Sequence, residues 1–589
     1  MSDRAGIAAM LEEIALLKRI LGEVEFKAAA FDRAARAIER MEDFDKRCHD
    51  RTLSEAEGLG LTTAKTVYDF LNTGRSPLLE EMRAALPPGL LQWINIPGLG
   101  PKKIRKIHTE LKISTVEELA GACADGRVAA LAGFGDKSAA KILKSIEWIQ
   151  ANSARCRVDE AEAAALSFLD DLKTVPGLLR LEVAGSYRRG LETIGDIDLL
   201  AEVDEKSSGA AALMQAFTTH PAVTEVLGCG DTKASVRTTS GRQVDLRVVK
   251  PGAYEAALLY FTGSKEHNVA LRGRARDRGM ALNEYGLFRL NGAGDTDFDQ
   301  PVPSPTEEEI YRRLDLPWIP PERREDQGEI TEYGGGQPEK LVEQSDIRGV
   351  MHLHTTWSDG SASIEEMARA CLARGYEWMV LSDHSRTAAY AGGLSIEKLR
   401  RQAGEVNRVN QLLAGKFLVL HGIESDILPE GALDYPDEVL AELDWVIGSV
   451  HSRLDMPPDE MLERICRAAT NPFCDMIGHP TGRLLLRREG CPLDLEQLCD
   501  HAIRHNVAVE INANPWRLDL DWRAALRARP KGLLTSINPD AHSTQGIDDL
   551  RFGLKTARKA GFPAKSVLCT WTANQLLLWR DKRRKRTTP

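Results

Sequence analysis

Two sets of residues in this sequence have the types and spacing to do chemistry. The first is Gly195-Asp196-Ile197-Asp198, preceded by Gly185-Ser186-Tyr187-Arg188-Arg189-Gly190 and followed by Val244-Asp245-Leu246-Arg247-Val248. Residues i and i+2 of a strand face the same way, so Asp196 and Asp198 project together while Ile197 and Leu199 pack behind. Asp245 offers a third carboxylate from a second strand. Three carboxylates converging from adjacent strands can hold two divalent cations about 3.5–4 Å apart, the arrangement used for phosphoryl transfer. A Gly-Ser turn with Arg189 suits a triphosphate, whose oxygens accept from backbone N–H and guanidinium groups. A bare Asp-x-Asp is commonly a solvated strand edge; the third acid and the Gly-Ser-x-x-Arg segment outweigh that reading.

The second set lies further along. His352-Leu353-His354 closes an apolar run, with Asp359 in the next loop. Asp383-His384 ends a second run and Glu424 a third. His451 follows Ile447-Gly448-Ser449-Val450, His479 follows Met476-Ile477-Gly478, and Asp540-Ala541-His542 comes last. Six imidazoles and three carboxylates at strand ends make a polynuclear metal site, and such ligands suit zinc, manganese or iron. Glu424, with two oxygens, can bridge two ions. A lone strand-end histidine is usually packed or solvated, but nine suitable residues in register with successive strands are not. A bound divalent cation lowers the pKa of water to about 7, which points to phosphoester hydrolysis. His421 and Glu510 lie nearby as supporting or structural groups, and Asp383 and Asp426 as groups that orient ligands.

The elements that must position these sets can be read from periodicity. Residues 1 to about 150 read as helices. They are punctuated by Glu57-Gly58-Leu59-Gly60, Ile96-Pro97-Gly98-Leu99-Gly100 and Leu131-Ala132-Gly133-Phe134-Gly135, a degenerate repeat. Each Gly-x-Gly precedes an amphipathic helix bearing a lysine (Lys65; Lys102, Lys103 and Lys106; Lys137). Glycines ahead of a helix N-terminus aim backbone N–H groups at one spot, which favours phosphate. From about 181 the period becomes two, as in strands. Pro301, Pro303, Pro305, Pro317, Pro320, Pro321 and Gly334-Gly335-Gly336 then mark a breaker-rich stretch, and an interdomain linker is expected over about 326–345. After it, short apolar strands alternate with helices, a parallel α/β pattern read as a barrel with its active site at the strand C-terminal ends.

The chain has 589 residues and a formal charge of −10, with acid excess in both halves. At roughly 150 residues per domain this predicts about four domains. Net charge gives no support to nucleic-acid binding and does not exclude it, since local basic stripes decide that. No run approaches the roughly 18 apolar residues of a membrane helix, and no signal peptide is expected at the start. The ten cysteines form no Cys-x-x-Cys pair, so reduced thiols in a cytoplasm are expected. The tail Arg580-Asp581-Lys582-Arg583-Arg584-Lys585-Arg586 is expected either to touch DNA phosphates or to be a solvated, disordered end.

The three Gly-x-Gly segments resemble helix–hairpin–helix motifs, which grip DNA backbone without reading sequence. The aspartate trio with its Gly-Ser-x-x-Arg segment resembles the nucleotidyltransferase palm of family X DNA polymerases, the DNA polymerase beta type. The resemblance continues through Tyr260-Phe261-Thr262-Gly263-Ser264 and Asn283-Glu284-Tyr285-Gly286-Leu287. It implies Asp196, Asp198 and Asp245 as catalytic metal ligands taking Mg²⁺ or Mn²⁺. It implies Gly185, Ser186, Arg189, Gly195, Tyr260, Phe261, Gly263, Asn268 and Arg272 as nucleotide contacts, the Tyr260–Ser264 segment fitting the nucleotide and excluding ribose. Lys265 stands where some relatives carry an acid. For DNA it implies Gly58, Gly60, Gly98, Gly100, Lys102, Lys103, Gly133, Gly135 and Lys137. Some relatives carry a Schiff-base lysine for deoxyribose-phosphate cleavage; aligned on Phe70-Leu71-Asn72-Thr73-Gly74, its place is Thr66 here, with Lys65 about 100° away around the helix. A family-type lyase is therefore not expected.

The histidine and carboxylate set resembles the PHP (polymerase and histidinol phosphatase) domain. That resemblance implies a centre of up to three Zn²⁺ or Mn²⁺ ions held by His352, His354, Asp359, His384, Glu424, His451, His479, Asp540 and His542. The fold expected is multidomain. Helical helix–hairpin–helix domains occupy 1–85 and 86–152, an α+β palm 153–250 and a thumb 251–325. After the linker comes a distorted (βα)7 PHP barrel at 346–589. The function implied is gap filling in DNA repair, such as base excision repair or end joining, with 3′-to-5′ exonuclease activity from the barrel. Partners implied are gapped or primer-template DNA and deoxynucleoside triphosphates, with no membrane, for a cytoplasmic, nucleoid-associated monomer. Two alternatives stand: a DNA-end nuclease whose front half only binds DNA, or a barrel acting on small phosphate monoesters.

Overall fold

The computed structural model describes residues 4–587 except 42, 95, 97, 153, 205–208, 292 and 337. Pro97, in the second hairpin, thus lies outside the described residues. The chain forms two compact units, Met1–Ser153 and Ala154–Pro589. No helix among the described residues is long and apolar enough to cross a membrane.

The first unit is helical. The antiparallel helices Arg4–Leu21 and Glu25–Arg40 lead into shorter helices around a single apolar core that runs from Ile7 to Ile146. The three hairpins share one geometry. Gly58, Gly98 and Gly133 have φ of 89°, 88° and 85°, the left-handed region that glycine enters without steric cost. The middle residue of each bonds back to the residue three before it, as in Leu99 N to Ile96 O at 3.1 Å.

The second unit opens on a five-stranded sheet, in spatial order Leu178–Val183, Asp196–Val203, Gln243–Val249, Lys233–Thr238, Val223–Cys229. Ile197, Leu199 and Ala201 bury one face against Phe168, Leu213 and Phe217 of two helices. On the opposite face Leu200 packs with Tyr254, Ala257 and Leu258 of the helix Tyr254–Thr262, so Asp196 and Asp198 emerge beside that helix. The thumb follows as helices with a three-stranded antiparallel sheet. Within the breaker-rich stretch, Glu329–Gly334 is helical, with Ile330 and Tyr333 packed on the thumb core. Glu329 is buried there and holds His267 Nδ1 at 2.6 Å.

The rest is a barrel of seven parallel strands in sequential order, from Gly349–Leu353 to Thr535–Asn538. A bridge between Leu353 and Ala541 brings first and last strands together. Val350, Met379, Val419, Ile423, Val509 and Ile537 face the surrounding helices. Met351, Val380, Leu420, Ile447, Met476 and Ala508 form a separate inner core with Leu576. Leu576 belongs to the helix Ala573–Thr587, which carries the basic tail. The expectation of a disordered end is therefore corrected, because the segment is helical and three of its arginines have partners. Arg583 and Arg584 reach the fully buried Asp475 carboxylate at 2.9 and 2.7 Å, and Arg580 bonds Asp444 O at 2.7 Å. Asp444 and Asp475 directly precede barrel strands, so this helix closes the N-terminal end of the barrel, opposite the predicted metal ligands.

Candidate active sites

Asp198 stands opposite Asp245 in the parallel pair Asp196–Val203 and Gln243–Val249. The spacing of Asp196 and Asp198 thus brings three carboxylates together. Burial, then the charges of Asp196 and Asp245, push the Asp198 carboxyl up to about 7. Mutual repulsion of this kind is what a divalent cation relieves, so the donor set fits one. Asp245 accepts from Gln243 Nε2 at 2.9 Å and pairs with Lys233 at 3.2 Å. Gly185 has φ of 61° and lies so close that a Cβ there would stand 2.1 Å from Asp198 Oδ2.

Beside the trio opens a cavity of about 330 Å³ lined by Gly185, Ser186, Arg189, Asp196, Asp198, Tyr260, Phe261, Gly263, Lys265, Asn268 and Arg272. Eight of the nine residues expected to contact a nucleotide line it. Gly195 does not; it forms the bend between the strands Thr193–Ile194 and Asp196–Val203. Asn268 Nδ2 donates to Tyr260 O at 2.7 Å, fixing the segment across the cavity. Arg188 and Arg324 both grip Glu307, at 2.8 and 2.9 Å, which ties the Gly-Ser turn to the thumb. Arg189 Nε donates to Glu325 Oε1 at 2.9 Å.

In the barrel all nine predicted ligands converge at the C-terminal ends of the strands. Four overlapping groups have ligand atoms within 4.8 Å of one another: His354, Asp359, His384 and His542; His352, His354 and Glu424; His352, His479 and Asp540; His384, Glu424 and His451. Glu424 belongs to two groups, as a bridging carboxylate would. His352, His479 and Asp540 have φ of 61°, 21° and 51°, a conformation that costs about 1–3 kcal/mol each and gathers at functional sites. His352 Nε2, both ring nitrogens of His354, His384 Nδ1, His479 Nδ1 and Glu424 Oε2 are buried without a hydrogen-bond partner among the described residues. Orphaned lone pairs converging in this way fit divalent cations. Burial pushes His384 down, but Glu424 and Asp359 more than reverse it, to about 10. His451 is raised to about 9, burial again opposing and Glu424 and Asp426 prevailing. For His354 burial and the neighbouring imidazoles win, giving about 3.

The supporting groups divide. Glu510 holds His352 Nδ1 at 2.6 Å and accepts from His479 N at 2.7 Å. Asp426 takes His451 Nδ1 at 2.5 Å. Asp383 touches none of the histidines by hydrogen bond; it ties down the loop after His354 by accepting from Thr355 N and Oγ1 at 2.8 and 2.7 Å. His421 is linked to it through Gln402, at 3.1 and 2.7 Å. Sequence reasoning missed Gln402, Asn512, Asn538 and Arg517. Asn538 Nδ2 donates to Glu510 at 2.8 Å, Asn512 Nδ2 to Asp540 at 3.1 Å, and Arg517 Nε lies 3.3 Å from Asp540 Oδ2. Asn512 and Asn538, each the last residue of a strand, were within reach of the strand-end signal; Arg517, in a loop, was not.

In the helical unit Lys65, Lys102 and Lys137 are exposed, and Lys103 bonds Gly98 O at 3.1 Å. Thr66 is buried and Lys65 points to solvent.

Comparison with known proteins agrees region by region. Residues 91–147 match the SAM-like helix-hairpin-helix tandem, 155–250 the DNA polymerase beta palm, 257–325 the DNA polymerase beta thumb and 351–514 the PHP domain. The Gly58 hairpin and the ligands Asp540 and His542 fall outside these matches, yet the fold gives them the expected geometry. The DNA polymerase/3'-5' exonuclease PolX of Bacillus subtilis is 38% identical over 570 residues, 95% of this chain and 96% of that one. A probable phosphatase of Thermoanaerobacter sp. is 27% identical over 40% of this chain and 95% of its own. DNA polymerase lambda of Rattus norvegicus is 26% identical over 54% of this chain and 56% of its own. With one relative matched almost end to end and each segment assigned in the same order, this chain belongs to the family X DNA polymerases that carry a C-terminal PHP domain.

Proposed function

We propose that the protein fills gaps in DNA by template-directed nucleotidyl transfer and shortens 3′ ends by phosphodiester hydrolysis in the barrel. The observation that carries this reading is the presence of two separate and complete constellations in one compact unit. One is an aspartate trio beside a basic cavity, the other a nine-ligand imidazole–carboxylate cluster.

Asp196, Asp198 and Asp245 hold Mg²⁺ or Mn²⁺, and the nine barrel residues hold up to three Zn²⁺ or Mn²⁺ ions. Bound divalent cations supply Lewis acidity to phosphoryl oxygens and lower the pKa of water or hydroxyl groups. The protein's own part is positioning. Ser186, the Gly185 backbone and Arg189 receive the triphosphate, and a carboxylate of the trio takes the proton of the primer 3′ hydroxyl. Tyr260 and Phe261 wall the sugar side, while Asn268 holds the Tyr260 carbonyl. In the barrel, Glu510 and Asp426 fix the Nδ1–H tautomers of His352 and His451, leaving each Nε2 toward the cluster. Arg517, beside Asp540, faces the phosphate being cut. The hairpin amides and Lys102, Lys103 and Lys137 grip DNA backbone. Gap repair in a bacterial cytoplasm, on nucleoid DNA and as a monomer, is the setting these activities serve.

A second reading of the barrel, hydrolysis of small phosphate monoesters, is favoured by the probable phosphatases, whose match spans 40% of this chain and nearly all of their own length. The test is a gapped DNA with a labelled primer, in Mn²⁺, with and without deoxynucleotides. Wild type lengthens the primer with nucleotides and shortens it without them. Asp245→Ala abolishes lengthening only, and His352→Ala/His354→Ala abolishes shortening only. Shortening untouched in the histidine variant would remove the barrel assignment, and hydrolysis confined to a monoester would establish the second reading.

A further inference from the structure

The helix Leu550–Lys559 belongs to the barrel; it follows Asp540 and His542 by a short turn. Gly553 packs on Ala513 and Ile537, so closely that a Cβ there would stand 2.5 Å from Ala513 Cβ. Its other side meets the palm. Lys555 lies 4.1 Å over the Tyr187 ring, and Arg551 reaches Glu162 at 2.7 Å. At its end Lys559 is buried, with 1% of its surface exposed. Its ammonium has three donors, and three acceptors meet them: Glu325 Oε1 at 2.6 Å, Arg189 O at 3.0 Å and Glu322 O at 3.3 Å. None of these acceptors belongs to the barrel.

The same Glu325 oxygen that accepts from Lys559 also accepts from Arg189 Nε. Arg189 Nη1 is held by Thr262 O, and Nη2 makes no hydrogen bond among the described residues. Arg189 therefore stands between two anions: Glu325, already beside it, and whatever phosphate enters the cavity it lines. Lys559 shares the Glu325 charge. Without it, Glu325, with 15% of its side chain exposed, depends among the described residues on Arg189 alone. A largely buried carboxylate cannot give up its last cation cheaply, so Arg189 would be drawn away from an incoming anion.

We propose that Lys559, a residue of the phosphoesterase barrel, is a positioning residue of the nucleotide site in the palm. By neutralising Glu325 it leaves Arg189 available to a triphosphate, so the barrel completes the polymerase site. This rests on the reading that Arg189 contacts the triphosphate. Lys559 reaches no reacting atom and acts through Glu325 and the Arg189 backbone.

The test uses the full chain on gapped DNA, with single-nucleotide incorporation measured against deoxynucleotide concentration. Lys559→Met raises KM for the nucleotide about tenfold and leaves kcat within about threefold, while shortening of a 3′ end stays at the wild-type rate. Lys559→Arg keeps a cation in place and retains most of the affinity. Glu325→Gln removes the competing charge, so by itself it does not raise KM, and in Lys559→Met/Glu325→Gln it returns KM toward wild type. A merely structural contact gives the opposite pattern, with the double variant no better than Lys559→Met, or Glu325→Gln as impaired as it. Either result overturns the inference. Because Lys559→Met is buried and could misfold, Glu325→Gln is read independently: a KM at or below the wild-type value is expected, and a raised KM overturns the inference without the lysine variant. Arg189→Ala separates the two levels: if it leaves KM unchanged, the triphosphate role of Arg189 falls and this inference with it; if it raises KM while Lys559→Met does not, only this inference falls.

Discussion

Replacing Gly185 by alanine should disable the aspartate site while leaving the barrel working. Two features of Gly185 matter. Its φ of 61° is left-handed, which costs a residue with a Cβ about 1–2 kcal/mol. More severe is the contact, since the new Cβ would stand 2.1 Å from Asp198 Oδ2 and 3.1 Å from Asp198 Cγ. Carbon and oxygen ordinarily approach to about 3.3 Å, so about 1.2 Å must be found. Neither partner can retreat freely. The Gly185 backbone is anchored by the preceding residue, Ala184 N donating to Asp198 O at 2.8 Å, and Asp198 is locked in register with Asp245. Asp198 must turn its carboxylate away, and a displacement of about 1 Å of a catalytic group costs on the order of 10²-fold in rate. Single-nucleotide incorporation under saturating nucleotide should therefore fall at least about 100-fold in kcat. Circular dichroism and 3′-end shortening should match wild type. A kcat within threefold of wild type would refute the argument that this glycine is required for the close approach to Asp198.

Three further outcomes follow from the barrel and the helical unit. Asp426→Asn removes the carboxylate that holds His451 Nδ1 and should weaken divalent-cation affinity about 10–100-fold, read by calorimetric titration of chelator-treated protein, with nucleotide incorporation unaffected. Leu576→Ala empties a fully buried position in the floor of the barrel and should cost about 2–5 kcal/mol of stability, measured by urea unfolding; a loss under about 1 kcal/mol would show that the helix Ala573–Thr587 does not close the barrel. Borohydride treatment on an abasic 5′ end should trap no covalent adduct, because Thr66 occupies the lysine position; an adduct lost in Lys65→Ala would reverse that expectation.

Much of both sites was legible because each of their residues is placed by local geometry. Alternation along a strand carried Asp196 and Asp198 to one face, and six strand ends in sequence announced the barrel ligands. What was hidden depends on tertiary approach. Arg517 and Lys559 sit in a loop and at a helix end, where their spacing carries no period, and only the closed barrel and its seat on the palm bring them to Asp540 and Glu325. Asp383 was read as a ligand-orienting group from its place beside His384, but it faces the other way, as alternate strand-end residues must, and secures the loop after His354. The basic tail misled for a related reason. A run of arginines reads as solvated until the buried Asp475 that neutralises it is known.

The cation groups of the barrel are assembled from residues far apart in the chain: His352 with Asp540, His354 with His542, His384 with His451. No strand brings more than two ligands, and no neighbouring pair of strands brings a whole set. A ribosome that has delivered the first four strands has made most of the histidines but none of the final pair of ligands. Two of the four cation groups are then already complete, but the two that need Asp540 or His542 wait for the last strand, by which point the palm, encoded earlier, is available for the barrel to dock on. Synthesis order thus places completion of the whole barrel centre after that of the palm.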